Sequence, residues 1–250
     1  MSRMTATPPV NARFYFDLAE WWPLFSPPVH YVEEADDLLR RLAPLPAPGT
    51  NTLLELGCGG GSLAFHLKHQ FVLTLTDLSD GMLAQSRIIN PEAEHLQGDM
   101  RTLRLNRQFD YVLVHDAVCY MTEPADLRAA LETAAMHCKP DGTVIVLPDY
   151  VRETFKPGTE EGGEDAGDGR GFRYLEWCWD PDPHDHTYVV DYAFLLRDAN
   201  GAVRVVHDRH LEGVFPRATW LATFDAAGLS PTSELDEWGR DVFVAHPKRP

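Results

Sequence analysis

The most constraining stretch of the 250-residue sequence is the junction where Thr52-Leu-Leu-Glu-Leu56 runs directly into Gly57-Cys-Gly59-Gly-Gly61. A short, nearly continuous apolar run reads as a strand, and a turn without side chains lets the backbone approach a ligand where any β-carbon would clash. The alternation continues beyond this turn. A helix is expected over 62–69, a strand at 71–76, a helix over 81–89, strands at 94–97 and 111–115, a helix over 124–138 and a strand at 143–147. Continuous apolar strands alternating with amphipathic helices predict an α/β layer with a mainly parallel sheet covered on both faces. Its ligand should sit at the carboxyl ends of the strands.

The flanks read differently. Two helices are expected in the first fifty residues, one around Phe14 to Trp22 and one over 30–42, separated by Pro23, Pro27 and Pro28 and ended by Pro44, Pro46, Pro48 and Gly49. Residues 157–171 are acidic and glycine-rich with little to bury, which predicts a mobile loop. Segments 173–179, 187–196 and 202–215, joined by Asp/Pro and Asp-Ala-Asn-Gly turns, predict an antiparallel meander. A helix over 217–227 and a strand at 241–245 return to the α/β layer.

Two acids refine the ligand. Asp77 ends the second strand, 77 − 55 = 22 residues after Glu55, where a carboxylate can take both hydroxyls of a ribose. Asp99 follows the third strand and is expected to accept from an adenine amino group while Met100 packs on the ring.

With these landmarks the chain resembles the class I S-adenosylmethionine-dependent methyltransferases, over about residues 51–150 and 216–250. Glu55 to Gly61 matches the family's acidic-x-Gly-x-Gly-x-Gly motif, Asp77 its ribose acid and Gly98-Asp99 its adenine acid. Phe109 to His115 matches its fourth strand, and Lys139-Pro-Asp-Gly-Thr-Val-Ile-Val146 its entry to the fifth, with Pro-Asp-Gly for the usual Pro-Gly-Gly. The resemblance implies a Rossmann-like fold, mainly parallel with the last strand antiparallel, and S-adenosyl-L-methionine as cofactor with S-adenosyl-L-homocysteine as product. It implies cofactor contacts from Tyr15, Glu55, Gly57, Cys58, Gly59, Gly61, Asp77, Leu78, Asp99, Met100 and His115. It also implies one domain over 1–250, with residues 1–50 as a helical lid, 51–150 and 216–250 as the cofactor-binding core and 151–215 as an inserted β cap. A dinucleotide enzyme is disfavoured because position 62 is Ser where that fingerprint wants Gly. No Asn/Asp-Pro-Pro-Tyr/Phe follows the fourth strand, which disfavours a nucleic-acid amino-methyltransferase.

Methyl transfer by in-line displacement asks the protein to align the acceptor, exclude water and let a proton leave. His115 and Tyr120 are the catalytic candidates. His115 is either a general base for an oxygen or nitrogen acceptor or a group that only caps the strand. Tyr31, Asp116, Tyr150 and Trp177 are candidates for the acceptor pocket. The acidic run at 160–168, if it closes over the site, would favour a cationic acceptor. His184, His186, His207 and His210 do not suggest a metal site, because the first two lie in a Pro-rich turn.

Composition narrows the partners. Twenty-two basic against 38 acidic residues give −16, a field that repels nucleic acid. No apolar run suits a membrane helix or signal peptide, and four scattered cysteines suit a reducing compartment, so a cytoplasmic protein is expected. The leading expectation is a methyltransferase acting on an oxygen or nitrogen of a small molecule. Alternatives are a non-catalytic sensor of the cofactor or its product, and a protein methyltransferase. Exposed meander strands make a homodimer a candidate assembly.

Overall fold

The computed structural model describes residues 12–42, 45 and 47–249. The N-terminal segment forms α1 (Arg13–Asp17), a 3₁₀ turn (Ala19–Trp21), α2 (Trp22–Phe25), a second 3₁₀ turn (Pro28–Tyr31) and α3 (Val32–Arg41). The first expected helix is thus broken, and Pro23 begins a helical turn instead of ending one, because its fixed φ suits a first-turn position. Pro44 and Pro46 lie outside the described residues.

The central layer follows as β1 (Asn51–Leu56), α4 (Ala64–Leu67), β2 (Phe71–Asp77), α5 (Asp80–Ile89), β3 (Glu94–Gln97), β4 (Phe109–His115), α6 (Pro124–His137) and β5 (Cys138–Leu147). The cap comprises β6 (Gly158–Gly162), β7 (Gly171–Trp179), β8 (Thr187–Arg197) and β9 (Val203–Gly213), before α7 (Arg217–Ala226), β10 (Leu229–Leu235) and β11 (Asp241–Pro247). Seven strands form one sheet in the order β10-β11-β5-β4-β1-β2-β3, and four form an antiparallel sheet in the order β6-β7-β8-β9. Only β11 opposes its neighbours in the large sheet, pairing antiparallel with both β5 and β10.

The apolar strands supply two cores by alternation. Leu54, Leu56, Val112, Val114, Val144 and Val146 face α6 and α7, whereas Leu53, Leu73, Leu75, Leu113 and Ile145 face α3, α4 and α5. Trp220 of α7 stacks on Phe243 of β11 with ring centroids 5.3 Å apart. A third core joins the N-terminal helices to the cap: Phe14, Leu18, Trp21 and Leu24 pack between Met82 of α5 and Phe172, Phe194, Leu196 and Val206 of the small sheet.

Two sequence expectations are corrected here. Residues 158–162 are a strand, not a mobile loop, because their backbone pairs with β7 from Gly158–Cys178 to Gly162–Tyr174, a ladder that composition does not reveal. Asp165 beyond it is held by Arg173 and Arg197, each at 2.9 Å. Strand β10 was not expected from Leu-Ser-Pro-Thr-Ser-Glu-Leu, whose Pro231 is tolerated because β10 is an edge strand.

Phe243→Ala removes a fully buried ring between Trp220 and Phe224 and should cost about 3–5 kcal/mol, read as a lower denaturant midpoint at unchanged slope.

Candidate active site

The carboxyl ends of β1, β2 and β4, the N-terminal helices and the inner face of the cap enclose one cavity of about 830 Å³. Fourteen of the residues singled out in the sequence border it: Tyr15, Tyr31, Glu55, Gly57, Cys58, Gly59, Asp77, Leu78, Asp99, Met100, His115, Asp116, Tyr120 and Tyr150. Two do not. Gly61 (φ +76°) lies behind the turn, where a Cβ would collide with Ser86 and Asn90, so its role is to let α5 pack against the loop. Trp177 is 54 % exposed and stacks on Trp179 on the outer face of β7, while its neighbours Glu176 and Cys178 point inward. In a strand, adjacent side chains take opposite faces.

The turn after β1 is shaped for a ligand. Gly57 (φ +81°) accommodates Ala117 and Met100 where a Cβ would sit. The Gly59 N–H donates to Asp77 Oδ2 at 2.8 Å, and the Ser79 N–H to Asp77 Oδ1 at 2.8 Å. Burial raises the Asp77 carboxyl, and these backbone donors oppose the rise. Glu55 is buried and its Oε2 has no partner. Burial, the main cause, lifts it to about 7, with Asp77 adding to the rise and His115 opposing it. An orphaned buried carboxylate oxygen beside a side-chain-free turn fits a cofactor that brings a cationic or hydroxyl donor. Asp99 is gripped by Arg101 through Nη2 at 2.6 Å and Nε at 3.0 Å. The pair holds Asp99 below its ordinary value despite burial and leaves lone-pair room for a further donor. Trp22 of α2 packs over Gly59 and Gly60, its Nε1–H donating to Ser62 Oγ at 3.2 Å, so the N-terminal helices sit on the glycine turn itself.

His115 is only 7 % exposed, with Nε2 2.8 Å from Glu34 Oε1 and Nδ1 3.3 Å from Asp116 Oδ2. Burial works against its charge, yet Asp116 and Glu34 outweigh burial and raise it to about 9. Glu34, also paired with Arg240, falls to about 2 for the same reason, against its own burial. Both ring nitrogens are therefore committed to carboxylates. An imidazole held between two carboxylates matches the strand-capping alternative for His115 rather than the general base.

The cap side carries residues not singled out as site residues. Glu176 and Glu212 line the cavity beside Tyr188 and Tyr192. Burial raises both carboxyls to about 7, and neither has a Lys or Arg partner among the described residues. Tyr188 donates its hydroxyl to Glu212. Tyr120 hydrogen-bonds His210 Nδ1 at 2.7 Å and the Tyr15 hydroxyl at 3.1 Å. Of the four histidines read against a metal site, His210 thus lies behind Tyr120 of the cavity wall, while His207 is on the outer face with Asp191. The inward parity of β7 and β9 would have found Glu176, His210 and Glu212, but both faces of these strands carry large side chains, which hides it.

A folded-state value of about 9 against an ordinary 6.5 means that His115 contributes stability that is complete below pH 6.5 and lost as pH rises through 9. His115→Gln should flatten that loss, a change on the order of a few kcal/mol, in denaturant midpoints measured between pH 6 and 9.5.

Residues 53–142 match the family model described as a methyltransferase domain. Over 220 residues the chain is 32% identical to the dTDP-3-amino-3,4,6-trideoxy-alpha-D-glucopyranose N,N-dimethyltransferase of Streptomyces venezuelae, covering 87% of this chain and 91% of that protein. It is 30% identical over 241 residues to the dTDP-3-amino-3,6-dideoxy-alpha-D-glucopyranose N,N-dimethyltransferase of Streptomyces fradiae, covering 92% and 90%. Among solved structures, Streptomyces venezuelae DesVI superposes with a TM-score of 0.77 at 30% identity, covering 87% of this chain and 92% of that one. CalS10 with bound S-adenosylmethionine, an amino pentose methyltransferase from Micromonospora echinaspora, superposes with a TM-score of 0.70 at 28% identity, covering 85% and 89%. These relatives are enzymes, and nothing in the comparison favours a non-catalytic sensor. The chain belongs to the class I S-adenosylmethionine-dependent methyltransferases and is an enzyme that transfers a methyl group to a small molecule.

Proposed function

We propose that the accepting atom is the amine nitrogen of an amino sugar, the substrate class named for the relatives. The observation that carries this reading is the pair Glu176 and Glu212, buried carboxylates on the cavity wall without a Lys or Arg partner. Burying such groups is costly until a cation arrives, and an ammonium group supplies one where a hydroxyl does not. The Tyr15, Tyr120, Tyr188 and Tyr192 rings around them offer π faces and hydroxyls for a polar ring substrate.

S-adenosylmethionine supplies a methyl group on a sulfonium centre, activated for in-line attack. The protein's task is then binding, orientation and proton removal. Asp77 would take the ribose hydroxyls on oxygens already fixed by Gly59 and Ser79, Asp99 the adenine amino group above Met100, and the free Glu55 oxygen the methionine ammonium. Gly57, Cys58, Gly59 and Leu78 would form the remaining walls, and Tyr31, Asp116 and Tyr150 would border the acceptor. His115 would act as a post, holding Glu34 and Asp116 beneath the site. The N-terminal helices, through Trp22 on the glycine turn, would exclude water as a lid.

The remaining expectations keep the same footing. Among the described residues no helix is long and apolar enough to cross a membrane, and the four cysteines are buried and unpaired, which suits a cytoplasmic setting. The outer face of the cap, with Leu175, Trp177 and Leu195 exposed, would suit self-association as a homodimer.

Asp77→Ala should weaken S-adenosylmethionine binding by roughly tenfold or more in calorimetry, the loss of a charge-assisted hydrogen bond. With nucleotide-linked amino sugars, Glu212→Gln should raise KM by about tenfold while cofactor affinity stays within about twofold. Turnover of the corresponding alcohol as fast as the amine would sink the amine reading.

A further inference from the structure

Binding an acceptor as an ammonium ion and methylating it are opposing demands, because nitrogen attacks only with its lone pair free. The reaction therefore needs a proton acceptor, and His115, held between two carboxylates, is not available for that role. The cap provides another. His210 on β9 is 2 % exposed, and its Nε2 is 3.1 Å from Asp208 Oδ2. Asp208 accepts three backbone N–H bonds besides, from Phe14 at 2.7 Å and from Arg13 and Arg209 at 3.1 Å each. A carboxylate surrounded by donors accepts from His210 as well, so Nε2 carries the hydrogen and Nδ1 is left to receive or donate toward Tyr120 at 2.7 Å. The Tyr15 hydroxyl lies 3.1 Å further along, at the cavity wall.

We infer that Tyr15, Tyr120, His210 and Asp208 form a proton relay that deprotonates the bound acceptor amine, with His210 Nδ1 as the terminal proton acceptor and Asp208 as its counter-ion. This rests on the amine reading above. In the receiving state Tyr15 donates its O–H to Tyr120 and Tyr120 donates to Nδ1. The ammonium N–H bond breaks toward the Tyr15 oxygen, the Tyr15 proton passes to Tyr120 and the Tyr120 proton to Nδ1. The nitrogen keeps the electron pair that forms its bond to the incoming methyl carbon. At the end Nδ1–H donates to Tyr120 and Tyr120 donates to Tyr15, the direction in which the structure orients the phenol pair. One proton has moved, and no phenolate is left behind. Such a path suits phenols whose ionisation burial has made unfavourable, as it has for Tyr15 and Tyr120. The ionisable groups facing His210 are Asp208 and Glu212 on its own strand, the latter 3.9 Å from Nδ1, Tyr120 after β4, Tyr15 on α1 and Tyr192 on β8.

Asp208 and His210 touch neither acceptor nor cofactor in this account and are positioning residues; Tyr15 is the catalytic contact. The test compares wild type, His210→Gln and Tyr120→Phe in methyl transfer to a nucleotide-linked amino sugar from pH 6 to 9.5, with calorimetry of S-adenosylmethionine as the check on folding. Wild-type kcat should rise with pH through a single protonation and then level. Both variants should fall at least about tenfold near neutrality with cofactor affinity within twofold. Their rates should keep rising to the acceptor's own deprotonation, and the deficit should shrink with weakly basic amines that bind already neutral. Variants within twofold of wild type across the pH range, or a deficit equal for strongly and weakly basic amines, would overturn the relay. If wild type methylates no amine, the amine reading fails separately. The His210 ring, followed by nitrogen NMR in the S-adenosylhomocysteine complex, then decides the relay: an Nδ1 signal displaced by Tyr120→Phe upholds the hydrogen-bonded path, and an unmoved one removes it.

Discussion

The carboxylate of Asp77 ties together the parts of the cofactor side. One oxygen accepts from the turn that ends β1 and the other from the residue that caps α5, so a single side chain at the tip of β2 sets the spacing between two strand ends and a helix start. Everything else on this wall is hung from that arrangement. Gly57 can approach Ala117 and Met100 because the turn is fixed there, and Trp22 can lie flat on Gly59 and Gly60 because no β-carbon intervenes. Backbone donors from Gly59 and Ser79 offset part of the cost of burying the acid.

Charge is distributed unevenly around the cavity, and the distribution divides labour. Below the strand ends, Glu34, His115, Asp116 and Arg240 form one ion-pair cluster that holds α3 and the residues before β11 against β4, with Asp116 Oδ1 left without a hydrogen bond among the described residues. On the cap, Glu176 and Glu212 have no Lys or Arg partner among the described residues. A buried acid with a partner is architecture, whereas a buried acid without one is a demand for a ligand.

The centre of the large sheet is legible because its strands are buried on both faces and carry nearly uninterrupted apolar runs; β1, β2 and β4 agree with expectation to within two residues at each end, and the polar edge strand β3 coincides with the expected 94–97 through the strand-helix alternation instead. The edge strands β6 and β10 are not, since they are polar segments outside that alternation that become strands only by pairing with a neighbour. The cofactor wall is encoded locally, in a glycine turn and acids at strand ends, and motif spacing finds such features. The cap wall depends on which parity of β7, β8 and β9 turns inward. Tyr174, Glu176 and Cys178 on one face alternate with Leu175, Trp177 and Trp179 on the other, so hydrophobicity alone does not decide which face turns inward. His115 shows a different limit: its neighbour Glu34 is 81 positions away in the chain.

The acidic strand β6 has a consequence beyond the cavity that Glu160 helps to line. With β9 it is one of the two margins of the four-stranded sheet, and an unpaired row of backbone N–H and C=O groups invites any passing extended chain to add itself. Glu160 and Glu161 on this short margin, with Glu164 just beyond, surround that row with like charge. A copy approaching edge to edge would bring the same acids against its own. The segment whose composition looked least suited to ordered structure therefore guards one edge of the cap against the addition of another strand.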